Sequence, residues 1–183
     1  MKELNFSPFP TLTTDRLTLR QLDKSDDQRI FEYQSNKENF KFVDMPIYIK
    51  IEEAQNYITK MNAGVTRNQW IIWAIADKKT NSILGTISIW NISTEHSKAE
   101  LGFGLFPGSS GKGIMSEALN KVVEYGFNNL ELKTIEAYTN AINNKSIALL
   151  KRNKFTEINS FMETETSDGA PMEMVIYGCN HGD

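Results

Sequence analysis

The residues whose types and spacing could do chemistry lie in a glycine-rich stretch near the middle of the chain. Residues 107–113 read PGSSGKG and separate a strand-like segment, 99–105, from a segment with apolar residues at helical spacing, 116–127. A strand, a glycine-rich turn and a helix N-terminus together form an anion site, because the first helical N–H groups have no partner within the helix. Gly111 and Gly113 let backbone amides approach a phosphate closely. The stretch therefore predicts a site for a phosphate-containing ligand.

The glycine spacing excludes a P-loop and fits a dinucleotide-binding turn only in part. Gly108 and Gly113 have P-loop spacing, but the two residues that follow are not Lys and Ser or Thr. Gly111-x-Gly113 is followed by Ser116 where a G-x-G-x-x-G turn has its third glycine. The stretch also comes after earlier strand candidates, whereas a Rossmann turn opens its domain. A loop that merely turns the chain is the structural alternative.

The longer run 100–119, ELGFGLFPGSSGKGIMSEAL, resembles the pyrophosphate loop of the GNAT superfamily of acyl-CoA N-acyltransferases. The family motif is Q/R-x-x-G-x-G/A, and residues 110–115 take its frame with Gly113 as the central glycine. Ser110 stands where the family has Gln or Arg, and Met115 replaces the small last residue. The order and spacing of strand, loop and helix are most similar to the RimJ/RimL-type branch.

Two other segments carry the same resemblance. Residues 14–20 are similar to the phrase T-x-R-L-x-L-R that opens the RimJ/RimL branch, and residues 143–155 to N-x-x-S/A-x-x-L-Y-x-x-x-G-F. In the second segment Lys154 replaces the glycine, which should alter a turn but not chemistry. Leu150 replaces the tyrosine that protonates the departing thiolate in many relatives. In the RimJ/RimL branch, which often lacks that tyrosine, Ser146 lies nearest the sulfur.

The resemblance implies a single α+β domain with the GNAT fold over residues 1–183, with its core at about 11–177. The implied sheet is mixed and mostly antiparallel, has about six or seven strands flanked by helices, and is splayed between strands 4 and 5. The residues alone predict the same class, because strands outnumber helices in a mixed order. We expect strands at 11–22, 70–76, 83–92, 99–105 and 134–139, a closing hairpin of 155–165 and 171–177 with Asp168-Gly169 as its turn, and helices at 23–35, 51–66, 116–127 and from an Asn143 N-cap.

Acetyl-CoA is the co-substrate that the resemblance implies, with its diphosphate in the glycine loop and its pantetheine arm along strand 4. Backbone groups of Phe103 and Leu105 would pair with the arm, and Asn143 would hold the arm or a water from the other side. Lys112 is either a partner of a CoA phosphate or a solvated lysine. The residues assigned to cofactor binding are Phe103, Gly104, Leu105, Ser110, Gly111, Lys112, Gly113, Ile114, Met115, Ser116, Asn143 and Ser146.

The implied reaction is direct attack of a neutral primary amine on the thioester in a ternary complex, which needs a base and a donor for the thiolate. Glu100 is the candidate base, because it shares strand parity with Gly102 and Gly104, whose bare face is compatible with close approach of the ligand. Ser146 is the candidate hydrogen-bond donor or proton relay. The alternatives are a surface carboxylate paired with a cation and a serine that satisfies its own helix. Tyr138 is a second donor candidate or a packing residue.

The RimJ/RimL resemblance points to a protein N-terminal amine as the acceptor, and polyamines, amino sugars and other small amines remain open. Acceptor residues are expected in 23–50 and 159–171. Two other functions are compatible with the sequence. One is a non-catalytic acyl-CoA-binding protein, and the other is a nucleotide-binding protein that uses the glycine loop for ATP or NAD.

Composition excludes further classes. The net charge of −3, without a basic cluster, argues against non-specific nucleic-acid binding. The single cysteine, Cys179, cannot form an internal disulfide, and the histidines His96 and His181 are far apart, so no metal site is expected. The chain lacks a signal-peptide h-region and a long uncharged apolar run, so we expect a cytoplasmic protein without a membrane span. A homodimer is left open.

Overall fold

The computed structural model describes residues 3–167 and 169–182, and the strands in this part of the chain form one mixed sheet. Eight strands in this part follow the order β1-β2-β3-β4-β5-β6-β8-β7 across the sheet. The strands are β1 (Leu12–Thr13), β2 (Leu17–Arg20), β3 (Ile71–Asp77), β4 (Ile83–Ser93), β5 (Lys98–Leu105), β6 (Thr134–Asn140), β7 (Thr156–Glu163) and β8 (Met172–Asn180). The helices are α1 (Asp27–Gln34), α2 (Ile51–Thr66), α3 (Ile114–Asn128) and α4 (Asn144–Arg152), with short 3-10 turns at Lys24–Asp26 and Lys37–Phe40.

The α+β class and the mostly antiparallel sheet are confirmed, and the differences from the prediction are local. The expected strand 11–22 is divided into β1 and β2 by a turn, in which the Thr14 N–H donates to the Leu17 carbonyl (3.0 Å). This division gives eight described strands instead of six or seven. The third helix begins at Ile114 rather than at residue 116, because Gly113 in a left-handed conformation is its N-cap. Asp168, expected in the closing turn, lies outside the described residues.

Helices cover both faces of the central strands, so β3 is buried along nearly its whole length. Tyr33 of α1 lies over Gly104 of β5 on one face. Gly126 of α3 lies against Ile135 and Ile89 on the other, where a Cβ on the glycine would come within 2.8 Å of the Ile135 side chain. The close approach of α3 to the sheet therefore depends on this glycine.

The feature that positions the site is the divergence of β5 and β6. These strands run parallel and share register only from Lys98↔Thr134 to Glu100↔Glu136. Beyond this point β5 stays paired with β4, and β6 stays paired with β8 as far as Asn140. The strands therefore part into a V-shaped gap. With β1 and β2 counted as one strand, the gap lies between the fourth and fifth strands, and the predicted splay is confirmed.

Lys154 completes a Schellman motif at the end of α4. Its φ is 69°, in the left-handed region that glycine usually takes at this position. Its N–H donates to the Lys151 carbonyl (3.2 Å), and the Phe155 N–H donates to the Leu150 carbonyl (3.0 Å). The change of turn expected from the lysine is not found, because the lysine adopts the conformation of the glycine it replaces.

The left-handed conformation of residue 154 predicts how substitutions there change the free energy of unfolding. Lys154→Gly should have a free energy of unfolding about 1 kcal/mol higher than Lys154→Ala, because a residue with a Cβ is strained in the left-handed region. Both variants lack the lysine side chain, so their comparison isolates the backbone effect. Urea denaturation followed by circular dichroism measures the difference. Equal stabilities of the two variants would contradict the left-handed conformation of residue 154.

Candidate functional site

The gap between β5 and β6 leaves backbone groups of β5 without a neighbouring strand on that side. Directly after β5, the Phe106 N–H donates to the Leu84 carbonyl (2.8 Å). The antiparallel β4–β5 register continues back from this pair, so even-numbered residues of β5 exchange hydrogen bonds with β4. The N–H and C=O groups of Phe103 and Leu105 consequently point into the gap. An extended segment of ligand can pair with them as an added strand would.

The glycine loop lies at the open end of this gap, between β5 and α3. Gly108, Gly111 and Gly113 have φ values of 84°, 78° and 73°. A Cβ at Gly108 or Gly111 would meet nothing within 4 Å, so these glycines are required by the backbone conformation and not by crowding. The first hydrogen bond of α3 runs from the Glu117 N–H to the Gly113 carbonyl (3.1 Å). The N–H groups of 114–116 therefore have no partner within the helix and face the loop.

The predicted loop residues divide into exposed residues and residues with buried side chains. Ser110 and Gly111 are exposed. Ile114 and Met115 have buried side chains, so their possible contribution to an anion site is limited to the backbone. The Lys112 ammonium donates to the Gly108 carbonyl (2.8 Å), which closes the loop on itself. Lys112 thus adds a positive charge at the loop while its position is set by a backbone carbonyl.

Arg16 holds the loop from outside, and sequence reasoning missed this role. Its guanidinium donates to the Lys112 carbonyl (2.9 Å) and to the Glu117 carboxylate (2.7 Å). The Thr14 hydroxyl and the Arg16 backbone N–H donate to the same carboxylate. Burial raises the pKa of Glu117, but these donors outweigh it and hold that pKa below its usual range. The available signal was the match of Thr14 and Arg16 to a family phrase.

On the other side of the gap, the predicted N-cap at Asn143 is confirmed. Its side-chain oxygen accepts the Ser146 N–H (3.2 Å) at the start of α4. At the other end of this helix, the buried Asn153 donates to the Ser116 hydroxyl (3.1 Å) and to the Leu149 carbonyl (2.7 Å). Asn153 therefore ties the C-terminal end of α4 to the first turn of α3. Asn143 and Ser146 follow β6, and the glycine loop follows β5, so the two predicted groups of binding residues flank one gap.

Glu100 lies where the two strands part, on the face of the sheet that carries α1. Among the described residues, its carboxylate accepts from the Asn91 side-chain amide and has no cation partner within ion-pair distance. The neighbouring Glu136 is paired with Lys98 (3.2 Å) and accepts from the Tyr138 hydroxyl (3.2 Å). Burial, followed by the charges of Glu100 and Glu136, raises the pKa of Tyr138 to about 12. Tyr138 therefore keeps its proton at neutral pH.

The bare face expected at Gly102 and Gly104 is occupied by side chains. A Cβ on Gly102 would lie 2.8 Å from the Ser88 hydroxyl and 3.5 Å from the Trp90 indole nitrogen. A Cβ on Gly104 would lie 3.0 Å from the Tyr33 hydroxyl. The glycines thus make room for Tyr33, Ser88 and Trp90, and Trp90 remains 49% exposed. Sequence reasoning missed these neighbours because they come from α1 and β4.

The described residues hold no group of three or more His, Cys, Asp and Glu side chains that could bind a metal ion. No helix within 3–167 and 169–182 is long and apolar enough to cross a membrane.

Comparison with known proteins gives one consistent family. Residues 16–156 match the family model described as acetyltransferase (GNAT) domain. The uncharacterized N-acetyltransferase YoaA of Bacillus subtilis is 32% identical, over 92% of this chain and 96% of its own. The uncharacterized N-acetyltransferase p20 of Bacillus licheniformis is 30% identical, over 91% of this chain and 94% of its own.

Solved structures share the fold. A RimL ribosomal L7/L12 alpha-N-protein acetyltransferase in complex with coenzyme A has a TM-score of 0.83 at 20% identity, over 93% of this chain and 98% of its own. The microcin C7 self immunity acetyltransferase MccE, in complex with acetyl-CoA and AMP, has a TM-score of 0.82 at 23% identity, over 92% of this chain and 94% of its own.

The contacts of Glu117 predict a pH-dependent stability. Because its pKa is lowered in the folded state, its contribution is present above the ordinary value of 4.5 and is lost as the pH falls through the folded pKa. Glu117→Gln should lower the free energy of unfolding by about 1.5–3 kcal/mol at pH 7, the range for hydrogen bonds to a charged group. The difference from the unmodified protein should shrink towards pH 3.

Glu124→Gln is the matched control, because Glu124 lies on the same helix in an exposed pair with Lys121. Its effect should stay within about 0.5 kcal/mol at both pH values. Denaturant titrations at pH 7 and pH 3 measure both variants. A Glu117→Gln effect no larger than the control would show that the Arg16 contacts do not stabilise the loop.

Proposed function

Because the chain belongs to the GNAT acetyltransferase family and is an N-acetyltransferase, we propose that it moves the acetyl group of acetyl-CoA to a primary amine by direct attack in a ternary complex. The observation that carries the proposal is the gap between β5 and β6 with the glycine loop at its open end. A strand edge beside an anion site suits a ligand that joins a diphosphate to an extended amide-containing arm.

The residues at the gap fit acetyl-CoA as co-substrate. The N–H groups of 114–116, the glycines of the loop and the charge of Lys112 would hold the diphosphate. The backbone of Phe103 and Leu105 would pair with the pantetheine arm, and one of their N–H groups would donate to the thioester carbonyl oxygen. Asn143 caps α4 through its side-chain oxygen, which leaves its NH₂ group to donate to the arm or to a water.

The amine would approach from the face that carries Glu100. Glu100 accepts the proton of the amine, directly or through a water, and the neutral nitrogen then attacks the thioester carbon. A C–N bond forms, the C–S bond breaks, and the second proton lost by the nitrogen replaces the one that a neighbouring hydroxyl gives to the thiolate. Ser146 at the start of α4 and Tyr138 on β6 are the candidate donors for that proton, since Leu150 is fully buried and carries no donor.

We propose a protein N-terminal amine as the acceptor class, with a small amine as the alternative. The RimJ/RimL resemblance and the RimL structural neighbour support the first class. A relative named spermidine N(1)-acetyltransferase from Vibrio cholerae, 22% identical over 81% of this chain, supports the second. The binding of acetyl-CoA is common to both.

The first test compares ligands and amines. Acetyl-CoA should raise the melting temperature more than ATP or NAD at equal concentration, because only the native gap binds it. Free thiol should then be released from acetyl-CoA when a panel of peptides with free N-termini, polyamines and amino sugars is added. Stabilisation by ATP or NAD alone would overturn the proposal. Binding of acetyl-CoA without thiol release from any amine would favour a non-catalytic binder.

The second test concerns the base. Glu100→Gln should lower kcat by about 10²–10⁴-fold, the usual contribution of a general base, and should leave the Kd of acetyl-CoA unchanged. Glu124→Gln, on the outer side of α3, is the control and should keep full activity. If Glu100→Gln turns over as fast as this control, Glu100 is not the base.

A further inference from the structure

We propose that Asp44 and Ser167 form a clasp over the acceptor side of the cleft, and that the closed clasp limits the size of the amine that enters. This inference rests on the proposed function, because it names what selects the acceptor at the same site. The Asp44 carboxylate accepts both the backbone N–H of Ser167 (2.7 Å) and the Ser167 hydroxyl. The two residues are 123 positions apart in the chain.

One end of the clasp belongs to the β5 side of the gap. Asp44 lies in the segment 41–50 between the second 3-10 turn and α2. Phe40, just before this segment, packs edge-on against Tyr33 (5.1 Å between ring centroids). Tyr33 lies over Gly104 of β5 and contacts Phe106 (4.8 Å). The segment therefore extends from a base above β5, on the face that carries Glu100.

The other end belongs to the β6 side. Ser167 lies in the connection between β7 and β8, and β8 is paired with β6. The pairing of β6 and β8 ends at Asn140↔Met174, and the Ala141 N–H still donates to the Glu173 carbonyl (2.8 Å). The connection at Ser167 thus extends beyond the end of β6, at the open end of the gap. A contact between Asp44 and Ser167 crosses from one side of the gap to the other.

Segment 41–50 is held by hydrogen bonds more than by burial, which allows it to open. Most of its apolar side chains are exposed, with Val43 and Ile49 at 51% and 78%, whereas Tyr48 packs against the core. Its other anchor is the end of α1, where the side chain of the buried Gln34 donates to the Pro46 carbonyl (2.8 Å) and the Tyr48 N–H donates to the Gln34 carbonyl (3.2 Å). Few buried apolar contacts and exposed hydrogen bonds characterise the elements of a fold that open most easily.

The two sides of the gap also carry groups of the proposed acceptor site, so the clasp closes over them. Tyr138 of β6 packs against Phe161 of β7 (6.2 Å), on the strand that leads to Ser167. Glu100 and Trp90 lie on the opposite side, where Trp90 is next to Gly102 and Glu100 accepts from Asn91. A small amine can reach this space beneath a closed clasp, whereas a peptide N-terminus needs the clasp open.

The test breaks and locks the clasp and compares two acceptors, the most active peptide and the most active small amine of the panel. Asp44→Ala should raise kcat/KM for the peptide about two- to tenfold relative to the small amine, the factor that one or two such hydrogen bonds account for. Glu38→Ala is the control, because Glu38 is exposed in the preceding 3-10 turn and pairs with Lys41, not across the gap. It should leave the ratio unchanged.

The lock is the double variant Asp44→Cys with Ser167→Cys, with disulfide formation checked by mass spectrometry. The oxidised double variant should acetylate peptides at least tenfold more slowly than the unmodified protein and should bind acetyl-CoA with an unchanged Kd. Reduction of the disulfide should restore peptide acetylation. If peptides are inactive with the unmodified protein, their acetylation should appear in Asp44→Ala. If neither variant changes the ratio of kcat/KM for the peptide to kcat/KM for the small amine, the clasp is overturned.

A readout without any acceptor separates this inference from the proposed function. If no amine is acetylated, the proposed function fails, but hydrogen exchange still tests the clasp. Asp44→Ala should speed amide exchange throughout 41–49 and at 164–166, and the oxidised lock should slow it in both segments. Faster exchange at the Ser167 amide alone would show a local hydrogen bond that does not couple the two sides, and would overturn the clasp.

Discussion

The structure depends on where the pairing of two parallel strands ends. β5 and β6 share register over only three residue pairs, and beyond Glu100 each keeps its hydrogen bonds with its outer neighbour. Inside a sheet, backbone N–H and C=O groups need partners, so this divergence leaves the inner edge of β5 ready to bind an extended ligand. Because the strands are parallel, their following helices both begin at the open end of the gap. The contact between Asn153 and Ser116 ties the C-terminal end of α4 to the first turn of α3.

The charges around the N-terminus of α3 also affect what the gap can bind. A helix N-terminus favours negative charge, and Glu117 in the first turn already supplies one. Its carboxylate is turned towards Thr14 and Arg16, which satisfy it with three donors: the Thr14 hydroxyl, the Arg16 guanidinium and the Arg16 backbone N–H. The N–H groups of 114–116 are thereby left for an anion in the loop. The arginine that neutralises the carboxylate also holds the loop carbonyl at Lys112, so charge balance and loop position share one side chain.

The proposed acceptor side of the gap is assembled from several elements. Tyr33 comes from α1, Trp90 from β4, Glu100 from β5 and Tyr138 from β6. Burial, followed by the negative charges where the strands part, raises the pKa of Tyr138 and keeps its proton in place, and Asn91 orients the carboxylate of Glu100. The glycines of β5 serve this assembly by admitting neighbouring side chains. The same face is crossed by the contact between Asp44 and Ser167.

Local signals in the sequence determined the elements, the glycine loop and the N-cap at Asn143. Helix 51–66 agrees with its prediction at both ends, because apolar spacing and first-turn carboxylates act within a few residues. Only the tertiary structure decided which side chains meet: Arg16 with Glu117 across 101 positions, and Asp44 with Ser167 across 123. It also decided that side chains cover Gly102 and Gly104, and that Lys154 takes a left-handed conformation to complete its turn. Periodicity and capping report interactions along one segment, whereas these contacts arise from packing between segments that no local pattern encodes.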